Sequence, residues 1–383
     1  MYKIIFLIRS LEIGGSERQL TELATRLQLS GFEVLVLTFY PDNILGQQLE
    51  ESGVRILSLH KKGRWDIFAP LIRLLKIIHN EKPDILHSYL GISNILSALV
   101  KVIYKDINVV WGVRCSAAFA PNWLDKILYY LEKKLSAMAD LIISNSFAGR
   151  DYAIQKGFVS DKFVVIPNGI DVDKFCPNVL AKKRLRNELG INDDVKVVGV
   201  VARLDPIKNH KMFLKAAKII SHNRKNLRFL CIGDGPSEYR KALEDLSVEL
   251  GLKDKVLWVG ARSDMPDVYN ALDLLCLASY AEGFPNVIAE AMACGLPVVV
   301  TSAGDAPLIV GKAGIVVQQG DAQAFANAIG QVLAEREKFS ALELTRKVVV
   351  DNFSTEKLVS TTSKVIRELL MPQATRKKID GNE

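Results

Sequence analysis

Two pairs of charged residues in the C-terminal half of this chain have the types and spacing to do chemistry. Glu282 and Glu290 stand eight positions apart in the string Glu-Gly-Phe-Pro-Asn-Val-Ile-Ala-Glu. Gly283 supplies a permissive backbone and Pro285 suits a first helical turn, so 279–286 reads as a loop and 287–294 as a helix. Glu282 then sits on a strand-to-helix loop, with Glu290 about two turns down the helix. At about 100° per residue, eight steps leave the carboxylates about 80° apart, able to face one cleft at different depths. The second pair, Arg203 and Lys208, lies on the loop between a strand at 195–201 and a helix at 211–220. Cations there can neutralise a diphosphate, Arg203 through a bidentate fork and Lys208 as a point charge. The plain alternatives are a solvated helix with incidental charges and two solvated surface cations.

The elements around these residues repeat one pattern. Apolar runs of strand length at 273–278, 296–301, 229–233, 255–259 and 314–317 alternate with helical segments, as in an open α/β sheet. Ligands of such sheets bind at the carboxyl ends of the strands. The N-terminal half opens the same way, with strand 3–8, a turn holding Gly14 and Gly15, helix 16–27 and strand 33–38. Ser16 and Gln19 form a capping box that starts the helix just after the glycines, leaving a positive helix end as an anion site. The loop lacks Gly-x-Gly-x-x-Gly and the second strand ends in Thr38-Phe39-Tyr40, which argues against a dinucleotide site. His87 ends the strand beginning at 84 and projects to a cleft, where a structural histidine and an acceptor contact are both open readings. Arg114 follows strand 109–113.

Length and composition fit two globular domains. The chain has 383 residues, 49% of them hydrophobic and 24% charged, with a net charge of +7. That charge favours anionic ligands or surfaces without choosing among them, and no nucleic-acid signature accompanies it. Five cysteines (115, 176, 231, 276 and 294) form no Cys-x-x-Cys, so buried thiols in a reducing cytosol fit better than disulfides or zinc. No apolar stretch reaches about 18 residues, and the apolar N-terminus leads into a glycine turn as a first strand, not a signal peptide.

The string from Glu282 through Glu290-Ala-Met-Ala-Cys-Gly-Leu-Pro-Val298 resembles the Glu-x7-Glu motif of retaining GT-B-fold glycosyltransferases, above all glycosyltransferase family 4. Other segments are similar to that family as well. They are the Gly14-Gly15-Ser16-Glu17 loop, Pro167-Asn168-Gly169-Ile170-Asp171, and Arg203-Leu-Asp-Pro-Ile-Lys208, where Ala202 and Asn209 replace the family's glycines. The resemblance covers about residues 3–370. It implies two Rossmann-like, doubly wound parallel-sheet domains facing across a cleft: 1–175 for the acceptor and 190–350 for a nucleotide sugar. Residues 351–370 return to the first domain as a helix, and 371–383 read as a disordered basic tail.

The resemblance also implies roles. Glu282, Arg203 and Lys208 serve catalysis. Glu290 holds the ribose, while Gly15, Arg262, Phe284, Pro285, Asn286 and Val287 line the donor. Gly14, Glu17, His87 and Arg114 contact acceptor or phosphate, with Arg114 where many members carry a histidine. No metal site and no cofactor are expected, because Arg203, Lys208 and helix N-termini can supply the positive field. The implied reaction is retaining transfer of a hexose or N-acetylhexosamine, with a UDP-linked donor favoured. The acceptor is a saccharide or polyprenyl-diphosphate-linked saccharide of a surface polysaccharide or glycolipid. A GDP-mannose-dependent enzyme and a catalytically silent scaffold are the alternatives; an epimerase would lack the Glu282-Gly-Phe-Pro-Asn286 signature. The basic, aromatic segments 61–78 and 123–135 suit peripheral contact with an anionic membrane from the cytoplasmic side, or else simply cover the sheet.

Overall fold

A computed structural model describes residues 1–371 except 13, 42–43, 64, 115–122, 223, 225 and 336–341, and only the backbone of 342–343. Cys115, Arg64 and the tail from 372 onward therefore lie outside the described residues. The chain divides into two compact units. One is Met1–Gly169 together with the segment from Thr355, and the other is Ile170–Ser354.

In the first unit the strands are β1 Lys3–Ile8, β2 Glu33–Thr38, β3 Arg55–Ser58, β4 Ile85–Tyr89, β5 Asn108–Val113, β6 Leu141–Ser144 and β7 Phe163–Val165. The helices between them are α1 Gly15–Leu29, α2 Gly46–Glu51, α3 Phe68–Glu81, α4 Gly91–Ile103, α5 Trp123–Leu135 and α6 Phe147–Gln155. The sheet is parallel, in the order β3-β2-β1-β4-β5-β6-β7. Alternation along β1 shows why its strands read as unbroken apolar runs. Ile4, Phe6 and Ile8 enter one core cluster, and Ile5 and Leu7 enter the cluster on the other face.

The second unit holds β8 Lys196–Val201, β9 Leu227–Ile232, β10 Val256–Gly260, β11 Leu274–Leu277, β12 Val298–Thr301 and β13 Gly314–Val317. Its helices are α7 Val179–Glu188, α8 His210–Ser221, α9 Ser237–Glu249, α10 Met265–Ala271, α11 Asn286–Ala293, α12 Ala306–Val310, α13 Ala322–Ala334 and α14 Leu342–Phe353. The order β10-β9-β8-β11-β12-β13, again parallel, reverses between β8 and β11.

A last helix, α15 Thr355–Leu370, belongs to the first unit, where Leu358, Val359 and Ile366 pack in one cluster with Leu20, Leu23 and Leu27 of α1. The units part at Gly169 and Ser354 for a local reason. Gln19 donates from Nε2 to the Gly169 carbonyl (2.7 Å) and accepts from the Gly169 N–H (2.9 Å), tying that residue to α1. Ile170 and Phe175 already pack in the core of the second unit.

That bond overturns the capping box expected at Ser16 and Gln19. Gly14 is the N-cap, no side chain caps the helix, and Gln19 is spent on Gly169. Spacing alone does not reveal such a partner 150 residues away.

Candidate active site

The strand order reverses between β8 and β11, and the carboxyl ends of strands at such a reversal are where open α/β sheets bind ligands. The loop after β8 carries Arg203 and Lys208, and the loop after β11 carries Glu282. They meet there. Lys208 Nζ donates to Glu282 Oε1 at 2.6 Å, and Ser279 Oγ donates to the same oxygen at 2.6 Å. Glu282 Oε2 has no partner among the described residues.

The two loops are fixed to each other by backbone as well. The Tyr280 N–H donates to the Ile207 carbonyl at 2.8 Å. Thr301 Oγ1, at the end of β12, donates to the Ser279 carbonyl at 2.6 Å, and Gln319 Nε2 donates to the Tyr280 carbonyl at 2.8 Å. Gly304 closes the loop from the far side. Its φ is +54°, and a Cβ there would stand 2.1 Å from the Glu282 carbonyl oxygen, so only glycine fits. Sequence reasoning missed Ser279, Thr301 and Gln319. Their only signal was position, at or just past the ends of β11, β12 and β13.

The Arg203–Lys208 loop is built by its own polar residues. Asp205 Oδ1 accepts from the Ile207 N–H at 3.0 Å, and Asp205 Oδ2 accepts from Arg203 at 2.9 Å. Asn209 adopts the left-handed conformation (φ 52°, ψ 45°), and its side chain caps α8 by accepting from the Met212 N–H. Asn is among the few residues other than glycine that tolerate this geometry. Next to it His210 is fully buried, with neither ring nitrogen hydrogen-bonded, and burial with the nearby Lys208 pushes its pKa down to about 4.

Two expectations about the acidic pair change. Helix α11 begins at Asn286, with Pro285 as its N-cap, so Glu290 lies one turn down and not two. Glu282 is on the loop, where the helical angle between the carboxylates does not apply. Glu290 is 4% exposed, and its Oε2 accepts from the Tyr269 hydroxyl at 2.6 Å. Phe284 faces the interior, edge-on to Phe353 with centroids 5.4 Å apart. Asn286 and Val287 supply first-turn amides to a helix end that carries no acidic side chain. Arg262, just past β10, is clamped by Asp264 (2.7 Å) and Glu188 (2.8 Å), which hold its pKa above the ordinary arginine value.

In the first unit, Glu17 folds its carboxylate back over Gly14, close enough that a Cβ on that glycine would meet Oε2 at 2.1 Å. Burial raises its pKa. The N-terminus of α1, expected as an anion site, thus faces its own carboxylate. His87 does not project to a cleft. It is 0% exposed between Phe6 and Tyr89, with both ring nitrogens unpartnered and its pKa driven well down, by burial and then by Arg114. The short hydrophobic stretch around His87 runs through the sheet interior, and alternation sends its ring into the core. Arg114 donates to the Tyr89 hydroxyl (2.7 Å) and to Asn168 Oδ1 (3.0 Å), and lies over the Tyr89 ring. The thiols of Cys231, Cys276 and Cys294 are buried, which raises all three pKa values, that of Cys294 to about 12.

Two family models match the two units in turn. Residues 13–174 match "Glycosyltransferase Family 4", and residues 195–335 match "Glycosyl transferases group 1". The chain is 30% identical over 363 residues to the D-inositol 3-phosphate glycosyltransferase of Corynebacterium urealyticum, covering 86% of this chain and 85% of that one. It is 28% identical over 302 residues to an Escherichia coli enzyme, UDP-Gal:alpha-D-GlcNAc-diphosphoundecaprenol alpha-1,3-galactosyltransferase, with 76% of each covered. Among solved structures, Anabaena Alr3699/HepE in complex with UDP-glucose superposes with a TM-score of 0.84 at 24% identity, covering 96% of this chain and 100% of that one. This last likeness is one of fold.

Proposed function

Because the chain belongs to glycosyltransferase family 4, and is a GT-B-fold glycosyltransferase using a nucleotide sugar, we propose that it moves a hexose or N-acetylhexosamine from a UDP-linked donor to a saccharide or polyprenyl-diphosphate-linked saccharide, with retention at the anomeric carbon. The observation that carries the reading is the Lys208–Glu282 contact at the switch point of the second unit.

In this reading Glu282 Oε2 accepts hydroxyls of the donor sugar while Oε1 stays on Lys208 and Ser279. Arg203 and Lys208, with the first-turn amides at Asn286 and Val287, meet the diphosphate. Glu290, oriented by Tyr269, takes the ribose diol, and the backbone near Arg262 takes the base. The acceptor oxygen bonds to the anomeric carbon as the bond to the diphosphate oxygen breaks, on the same face, and the departing phosphate takes the acceptor's proton. In this reading these cations and amides carry the leaving charge without a metal ion.

The acceptor side of the reading rests on one face of the first unit. Helices α3, α4 and α5 cover the same side of its sheet, over the cluster holding Leu74, Ala98 and Trp111, with Tyr129 and Leu135 packed against it. Outward they expose Phe68, Ile72, Val102, Ile103, Trp123 and Tyr130 among Lys76, Lys126 and Lys134. An apolar, lysine-flanked surface suits an anionic bilayer, where a lipid-linked acceptor resides. No described helix is long and apolar enough to cross a membrane. We place the enzyme peripherally on the cytoplasmic face.

The test is UDP release from UDP-hexoses in EDTA with a lipid-linked saccharide, with the product anomer read by NMR. An inverted anomer, or turnover that stops with EDTA and returns with a divalent ion, would remove the mechanism.

A further inference from the structure

The first unit has its own switch point, between β1 and β4. A cavity of about 410 Å³ opens there, at the strand ends marked by Arg9, Tyr89 and Arg114. It is a half-open cleft whose lining residues all belong to this one unit, and it has the size of a small-molecule site. At its wall stands Glu132 of α5, a carboxylate only 8% exposed.

Glu132 is held from behind and open in front. Its Oε1 accepts from Asn94 Nδ2 at 2.7 Å. Asn94 accepts from Ser88 (2.8 Å), Ser88 meets Ser97 (3.0 Å), and Ser97 accepts from the Trp111 indole (2.9 Å). Oε2 has no hydrogen-bond partner among the described residues. It lies against Gly91, where a Cβ would come within 3.2 Å of it. Gly91 also lines the cavity. Burial raises the carboxyl's pKa against the opposing Asn94 bond, so an oxygen left unpaired here carries a desolvation cost that a ligand hydroxyl would relieve. A second sign of constraint lies beside it. Leu90, at the rim, is held at φ 70°, a conformation that costs a non-glycine residue energy and clusters at ligand sites.

The lining decides the ligand class. Arg9 and Arg114 are balanced by Asp125 and Glu132, so this is not a cradle for a lone anion. Tyr89, Tyr129 and Tyr152 and aliphatic side chains, with a few polar groups, line it, a mixture that suits a ring with both C–H and hydroxyl groups.

We propose that this cavity binds one neutral sugar ring of the acceptor, and that Glu132 Oε2 selects it by accepting a ring hydroxyl. The proposal rests on the glycosyltransferase reading above, yet its test does not need turnover. Saturation-transfer NMR on the full chain would use the methyl glycosides of glucose, galactose and N-acetylglucosamine, with inorganic phosphate as competitor. At least one glycoside should bind wild type and lose roughly tenfold in affinity in Glu132→Gln, while phosphate leaves its signal unchanged. The UDP-induced thermal shift should be the same in both proteins, which separates lost sugar contact from lost fold. In acceptor kinetics the same variant should raise KM for acceptor roughly tenfold and leave KM for donor alone. Equal glycoside binding in Glu132→Gln and wild type, no glycoside binding at all, or displacement by phosphate would each overturn the proposal. A wild type that binds a glycoside but shows no UDP shift would instead fault the donor reading and leave the cavity standing.

Discussion

Lys208 Nζ and Glu282 Oε1 lie 2.6 Å apart although 74 residues separate them in the chain. The ion pair joins the loops after β8 and β11, and the same carboxyl oxygen also takes the Ser279 hydroxyl. One oxygen of Glu282 is thereby used to hold the carboxylate in place, and the other has no partner among the described residues. On the proposed reading, a cation and a hydroxyl-accepting anion are positioned together before any donor arrives, which is the preorganisation a charge-separating transfer requires.

Glu282→Ala should reduce kcat for transfer by about two to three orders of magnitude while the protein stays folded. Lys208→Ala should do the same and also weaken donor binding. Steady-state kinetics with circular dichroism checks both, and a fully active Glu282→Ala variant would remove that carboxylate from the mechanism.

Asn209 makes a backbone prediction. Asn209→Gly should fold with stability close to wild type, because glycine also accepts φ near 52°. Asn209→Val should lose about 2 kcal/mol, from the left-handed strain of a β-branched residue and the lost cap on Met212. Urea denaturation distinguishes the two; equal stability would mean the turn relaxes freely.

Much of this arrangement was legible in the chain. Both sheets followed from apolar runs of strand length alternating with helical patterns. The return of the final helix to the first unit was implied by the family resemblance, and Glu282, Lys208 and Arg203 were singled out by their places between strand and helix together with that resemblance. What stayed hidden depends on distant partners. Gln19 looked like a capping residue because a sequence cannot show Gly169 waiting beside it. His87 looked like a cleft residue because a strand end fixes its place along the sheet, while alternation, one residue either way, fixes its face. Glu132 gave no signal at all. It reads as one more charge on a lysine-rich helix until Asn94 is brought to it from α4.

His87 titrates in a predictable direction. Its folded pKa lies well below the ordinary 6.5, so the unfolded chain binds the proton first as pH falls. Stability from the neutral buried ring is complete above pH 6.5 and is lost below it, by up to about 1.4 kcal/mol per pH unit. His87→Phe should therefore be more stable than wild type, with a difference that grows from pH 7 to pH 5. A pH-independent difference would mean the ring is not held neutral. Glu132, whose pKa is raised, works in the opposite direction and is unchanged between the two proteins.

The proposed membrane contact can be examined without substrate. Co-sedimentation with phosphatidylglycerol vesicles should exceed that with phosphatidylcholine and fall with salt. Phe68→Ser combined with Trp123→Ser should cut binding at least about tenfold with no change in UDP affinity. Equal binding to both lipids, or to neither, would detach the apolar face from the membrane.

Nucleotide binding tests the central claim most directly. Thermal unfolding would be followed with UDP, GDP and ADP, in EDTA and in magnesium, for wild type and Lys208→Ala. Ligands that bind only the folded state raise the midpoint by mass action. The account predicts a shift with UDP that is the same in EDTA and magnesium and shrinks in Lys208→Ala. A shift that vanishes in EDTA, or no shift with any nucleotide, would contradict it.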